Sequence, residues 1–139
     1  MNAHAEIISG IYRQLCPSGT PDTVMTQYGL KAVYNFVDIP EGAEYPYLVI
    51  GDAQQLPYHS FGRRGAELLT TVHFWSKMHE TGSMSAIVSR VIDLLEWRPL
   101  PMSVCHHVST IHEQTLWLRD PNPEVTHVAI RFRITIEEE

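Results

Sequence analysis

The sequence is poor in the features that most readily name a function. Two cysteines, Cys16 and Cys105, in 139 residues exclude the dense disulfide framework of a small secreted scaffold. The longest uninterrupted apolar run, Tyr47-Leu48-Val49-Ile50, is far short of the ~20 residues that span a membrane. The opening MNAHAEIISG has neither the basic start nor the apolar stretch of a secretory signal, so the expected compartment is the cytoplasm, with both thiols reduced. Basic residues are the minority, 10 Lys+Arg against 16 Asp+Glu for a formal charge of -6. That balance argues against gripping nucleic acid through the overall field, although not against a local basic patch. Internal repeats and low-complexity segments are missing too, which removes solenoids and linkers.

Motifs of catalysis are absent in the same way. There is no G-x-S-x-G, no P-loop, and no G-x-G-x-x-G after a strand. The GRRG of residues 62–65 is too short and too basic for a phosphate-cradling loop. Eight histidines raise a metal hypothesis, because His106, His107 and His112 share one stretch with Cys105 and Glu113. Neighbours on a strand face apart, however. His106 and His112 are expected on one face and His107 on the other, and six strand residues separate two imidazoles by about 20 Å. With no CxxC, HExxH or second cysteine cluster, no metal, cofactor or catalytic residue is expected. Cys105 beside His106 and His107 reads as a half-buried thiol rather than a Cys/His pair, for the same reason of facing.

What is there is an ordinary globular composition, 44% hydrophobic and 19% charged, in a length suited to one domain over 1–139. Ile7, Ile8, Ile11 and Leu15 recur at helical spacing over 3–15, ahead of Pro17 and weakened by Gly10. Residues 31–38 (KAVYNFVD) read as a strand, and 45–52 (YPYLVIGD) as a strand covered on both faces. Residues 66–76 (AELLTTVHFWS) form a central strand rich in β-formers. The stripe Met84, Ile87, Val88, Val91, Ile92 and Leu95 marks a helix over 84–97, capped by Ser83. Residues 103–118 make a strand or strand pair. The segment 127–136 alternates cleanly, with Val128, Ile130, Phe132, Ile134 and Ile136 inward and a basic outward face at Arg131 and Arg133. Those arginines are either solvated or meet carboxylates of a neighbouring subunit, such as the terminal glutamates. Tyr45, Tyr47, Trp75 and Trp117 are assigned to the core. One crossover helix and turn-linked strands predict an α+β fold, a mainly antiparallel (mixed) sheet of four to six strands with two amphipathic helices on one face.

Between the second and third strands the chain changes character. QQLPYHSFGRRG, residues 54–65, is read as a long protruding loop near 53–65, and a long connection in a compact domain is seldom idle. Its Tyr58, Phe61, Arg63 and Arg64 are of the residue types that dominate interfaces, so they are the candidate contact residues, against the plain alternative of a solvated loop.

The block VYNFVDIPEGAEYPYLVIGD, residues 33–52, resembles the tail-completion, or tail-terminator (tail-to-head joining), family of long-tailed bacteriophages, prophages and gene transfer agents. Pro40, Gly42, Pro46, Tyr47 and Gly51 carry the motif, and RRGAELLTTVHFWSK, LLEWRPL and RDPNPEVTHVAIRFRITIE extend the likeness over nearly the whole chain. DPNPEVTH departs from it, since relatives more often carry an Asp-Gly turn there. The resemblance implies a structural virion protein with no catalytic residues. It implies a ring, usually hexameric, that caps the tail tube and offers a joint to the head connector while DNA passes through the bore. The implied partners are other copies of the chain, the tail tube protein and the head-completion or connector protein. The implied locations are the host cytoplasm during assembly and the neck of the finished particle. Two alternatives stand beside it: another neck protein, such as a head-completion factor or minor tube subunit, and a small metal- or ligand-binding α+β enzyme.

Overall fold

The computed structural model describes residues 2–59, 62–77 and 79–138. The order is α1 (Ala3–Leu15), α2 (Thr23–Gln27), β1 (Ala32–Asn35), β2 (Tyr47–Pro57), β3 (Gly65–Ser76), α3 (Thr81–Leu95), β4 (Cys105–Arg119) and β5 (Thr126–Glu138). The five strands form one mixed sheet in the order β1-β2-β3-β5-β4. Only β1 and β2 run parallel; the other three pairs are antiparallel. This is the expected α+β architecture, with β3 central as its two apolar faces required.

The helices cover one face. Ile7, Ile11 and Leu15 of α1 and Ile87, Val91 and Leu95 of α3 are fully buried in a single cluster with Leu48, Phe74, Phe132 and the other inward residues of the sheet. Burying each of these side chains contributes roughly 1.5–3 kcal/mol. Gly10, a poor helix former, is favoured by packing. A Cβ there would meet the Pro101 carbonyl at 3.1 Å and Leu100 Cβ at 3.2 Å, so glycine lets the 100–101 segment lie against α1. Glu6 holds the same segment from the side, its carboxylate accepting from the Ser103 and Val104 amides at 3.1 and 2.7 Å. Those bonds hold its pKa below the usual carboxylate value.

Several elements differ in detail from expectation, β1 among them, which ends at Asn35. Helix α3 begins at Thr81, with Glu80 rather than Ser83 at the cap and no side-chain cap bond. It stops at Leu95 because Trp97 turns to φ 59° and donates its amide to the Thr110 carbonyl at 2.9 Å. Of the two readings of 103–118, the structure has the single long strand, β4. The short α2 was not apparent in the sequence, where TPDT looks like turn material. Asp22 creates it. One carboxylate oxygen caps the helix by accepting from the Val24 amide at 3.2 Å, and both oxygens take the Arg90 guanidinium, at 2.9 and 3.1 Å.

Asp22 is buried, and the Arg90 hydrogen bonds hold its pKa below the usual value. Its contribution to stability is therefore present above the unfolded carboxylate pKa of about 3.9 and is lost as pH falls through the lower native value. Asp22→Ala should cost about 2–3 kcal/mol in urea unfolding at neutral pH, since it removes a cap and leaves Arg90 without its partner. The deficit relative to wild type should shrink below pH 4.

Candidate functional site

The β2–β3 connection is shorter than the protruding loop expected over 53–65. Residues 53–57 continue β2, with Ala53 opposite Thr70 and Pro57 opposite Ala66, so the connection proper is residues 58–64. A register shift between Gly51 and Ala53 lets the strand carry on where the Gly- and Gln-rich composition looked like a loop. The tip is held at its base. The Tyr58 amide donates to the Gly65 carbonyl at 3.0 Å, and the Glu138 amide to the Arg64 carbonyl at 2.8 Å. A Cβ on Gly65 would collide with the Tyr58 carbonyl and meet the Ile136 carbonyl at 2.9 Å. Only glycine permits this three-way approach of backbones.

The structure brings three of the four candidate contact residues to this tip. Tyr58, Arg63 and Arg64 are all exposed, and Arg63 stands 3.6 Å from the Glu137 carboxylate. Phe61 lies outside the described residues. The tip is therefore a basic, aromatic knob seated beside the end of β5.

The five motif residues have a different role. Gly51 sits where the return from β1 passes over the sheet face opposite the helices. A Cβ there would meet the His73 ring at 3.1 Å and Phe36 Cβ at 3.8 Å, and its carbonyl accepts from Thr70 Oγ1 at 3.0 Å. Gly42 turns at φ 75°, and exposed Pro40 lies beside it in the same return. Pro46 is buried behind a cis peptide bond, its carbonyl accepting from the Lys31 amide at 2.9 Å. Tyr47 packs edge-on against Tyr34, with centroids 5.7 Å apart. These residues shape the 36–46 return that makes β1 parallel to β2 without a crossover helix.

On the open face the expected basic stripe is neutralised within the chain. Arg133 reaches Glu113 at 3.0 Å and Glu67 at 3.7 Å, and Arg131 reaches Glu113 at 3.4 Å. Further along this face Trp75 stacks on His127 at 3.9 Å, and His127 Nε2 lies 2.7 Å from His73 Nδ1. Burial first, then the His73 charge, holds the His127 pKa below the ordinary histidine value. Burial does the same for His107. Both groups favour a neutral native state, so stability should fall as pH drops below the unfolded value of about 6.5, where the unfolded chain binds the extra protons. The fall should level off once the native rings protonate. His127→Gln should flatten this part of the pH–stability curve in thermal melts, and an unchanged slope would exclude the pair as its source.

The histidines of β4 are arranged differently from expectation. Register shifts between His107 and Ser109 and between His112 and Gln114 each insert a residue and reverse the facing of the strand beyond it. His112 therefore lies opposite Phe132 and His107 opposite Ile136, both on the helix side, whereas His106 pairs with Glu137. His107 and His112 satisfy Thr110 and Thr115 hydroxyls at 2.7 and 2.8 Å. Among the described residues no group of three or more His, Cys, Asp or Glu side chains is placed to hold a metal ion. Cys16 and Cys105 are buried, and burial pushes the Cys16 thiol up to about 11. No helix among the described residues is long and apolar enough to cross a membrane.

One surface feature escaped the sequence reading. Trp117, assigned to the core, is 47% exposed because β4 is an edge strand. Leu116 and Leu118 beside it are exposed as well, as are Phe36, Val37 and Ile39 next to the opposite edge. The signal was present in the run Leu116-Trp117-Leu118, where apolar residues break the alternation.

Fold and surfaces together define a small α+β assembly subunit, with exposed apolar residues at both sheet edges and a charged tip at one end. The family model of the tail completion protein gp17 matches residues 21–137. The chain belongs to that family, a phage structural tail-completion protein and not an enzyme. A chain in the virion of a native gene transfer agent particle superposes with a TM-score of 0.83 at 18% identity, covering 96% of each chain. The gp17 protein of bacteriophage SPP1 superposes with a TM-score of 0.60 at 21% identity, covering 97% of this chain and 91% of that one. No curated protein matches by sequence.

Proposed function

We propose that the protein assembles into a ring, most simply a hexamer, that caps the finished tail tube, ends its polymerisation and forms the joint to the head connector. The observation that carries this reading is the family match over residues 21–137 on a subunit with exposed apolar residues at both sheet edges, Leu116, Trp117 and Leu118 on β4 and Phe36, Val37 and Ile39 beyond β1. A closed ring needs two different lateral surfaces on each subunit, and axial surfaces for two different partners. The sheet edges supply the first. The tip at Tyr58, Phe61, Arg63 and Arg64 supplies an axial contact, to the tube or to the connector. Assembly takes place in the host cytoplasm and the ring resides at the neck of the particle.

The acidity has a use in this setting. Six copies at -6 each carry about -36 in total, and like charge keeps a DNA duplex from adhering as it passes through the bore. Arg63, Arg90, Arg131 and Arg133 are each engaged with a carboxylate of the same chain, which lowers their availability to phosphate.

Negative-stain imaging of tail tubes assembled without this protein tests the reading. Added protein should seat as a ring on one tube end and arrest elongation. Tubes that keep growing, with bare ends, would sink it.

A further inference from the structure

The pairing register runs one continuous row across all five strands: Val33, Leu48, Phe74, Val128 and Trp117. The three inner members are fully buried beneath the helices, so both ends of the row lie on the helix side of the sheet. At one end Trp117 stands half out of the edge strand β4. At the other end Val33 lines a groove between α1 and β1, about 440 Å³ in volume, whose walls also include Ala5, Ile8, Ser9, Tyr12 and Asn35. The knob and the groove therefore sit at the same height, on the same face, at opposite edges of one sheet about 19 Å wide. Asn35 Oδ1 is the buried side-chain acceptor without a donor among the described residues, and it stands in the groove wall.

The edge beside Trp117 is prepared for an incoming chain. Around residues 110–112 it is closed by the molecule itself, the Trp97 amide donating to Thr110 and the His112 amide to the Glu96 carboxylate at 2.9 Å. Among the described residues, no backbone bond from outside the sheet reaches 114–119. An open edge carrying apolar side chains is a template for association. The charges agree: no Lys or Arg occurs from residue 32 to 62, Asp38 lines the groove, and Arg119 lies two residues beyond Trp117.

We infer that the occupant of the groove is the Trp117 edge of a second copy of this chain. The contact is heterologous, each subunit giving Trp117 to one neighbour and the α1–β1 groove to the other, and a small rotation per step closes it into a ring. Buried tryptophans in pockets are the usual anchors of such contacts. The inference rests on the ring reading above and assigns its lateral surfaces.

Two single variants test it. Trp117→Glu removes the knob, and Ser9→Arg fills the groove from an exposed helix position, so each leaves the other half of the contact intact. In native mass spectrometry and sedimentation, wild type should form rings, in solution or on tube ends, and each variant alone should be monomeric with wild-type circular dichroism. Mixed together, the two should form a 1:1 dimer and no ring, because one intact contact remains. Rings from either variant, or folded variants that stay monomeric when mixed, would overturn the inference while leaving the ring reading standing. A wild type that forms no ring, even on tubes, would overturn both.

Discussion

Replacing Gly65 with alanine is expected to destabilise the protein by about 3 kcal/mol or more, lowering the thermal midpoint by about 10 °C. The added methyl group would occupy the space of two backbone carbonyls, those of Tyr58 and Ile136. Neither can step aside like the end of a flexible side chain. The Tyr58 amide would lose its bond to Gly65, and the pairing of Gly65 with Glu137 would open with it. Thermal unfolding followed by circular dichroism checks the stability. Limited proteolysis checks the location, since cleavage should concentrate within residues 58–64. A midpoint within two degrees of wild type would mean that the tip relaxes freely, and that its geometry is not imposed by the close approach at Gly65.

The second large effect is on function rather than stability. Arg63 and Arg64 are exposed, and the single ion pair of Arg63 with Glu137, at 3.6 Å on the surface, contributes less than about 1 kcal/mol. Arg63→Glu/Arg64→Glu should therefore fold with a near-wild-type melt. If the tip makes an axial contact, four units of charge change per subunit, repeated around a ring, should leave full heads and finished tails unjoined. Electron microscopy of lysates counts joined particles directly, and infectivity or gene transfer should fall by orders of magnitude. Normal yields of joined particles would remove the tip from the contact surface and leave the sheet edges as the assembly surfaces.

Much of the fold was legible before any coordinates. The helical stripes of α1 and α3 and the alternation of β5 follow from burial on one side of a periodic backbone, which local sequence records faithfully. The motif 33–52 pointed to the family for a related reason: backbone turns and close approaches, unlike surfaces, demand particular residue types. Gly65 is such a position, where non-local backbone carbonyls exclude a Cβ, and at Gly51 a Cβ would press on the His73 ring.

What the sequence by itself determined was thus the class of fold, the composition of its core and the family. Tertiary structure alone decided where the surfaces lie. The bulges in β4 reversed the facing of His112, and edge position left Trp117 outside a core to which its strand location had assigned it. The tip shrank to residues 58–64 because β2 continued through a bulge. Arg131 and Arg133, outward as the alternation required, found Glu67 and Glu113 on adjacent strands, a pairing fixed by register and invisible in any one segment. The formal charge of -6 was known from the outset. Its division into intrachain ion pairs and an acidic β1–β2 margin depends on which strands are neighbours, because ion pairs form between residues close in space, wherever they lie along the chain.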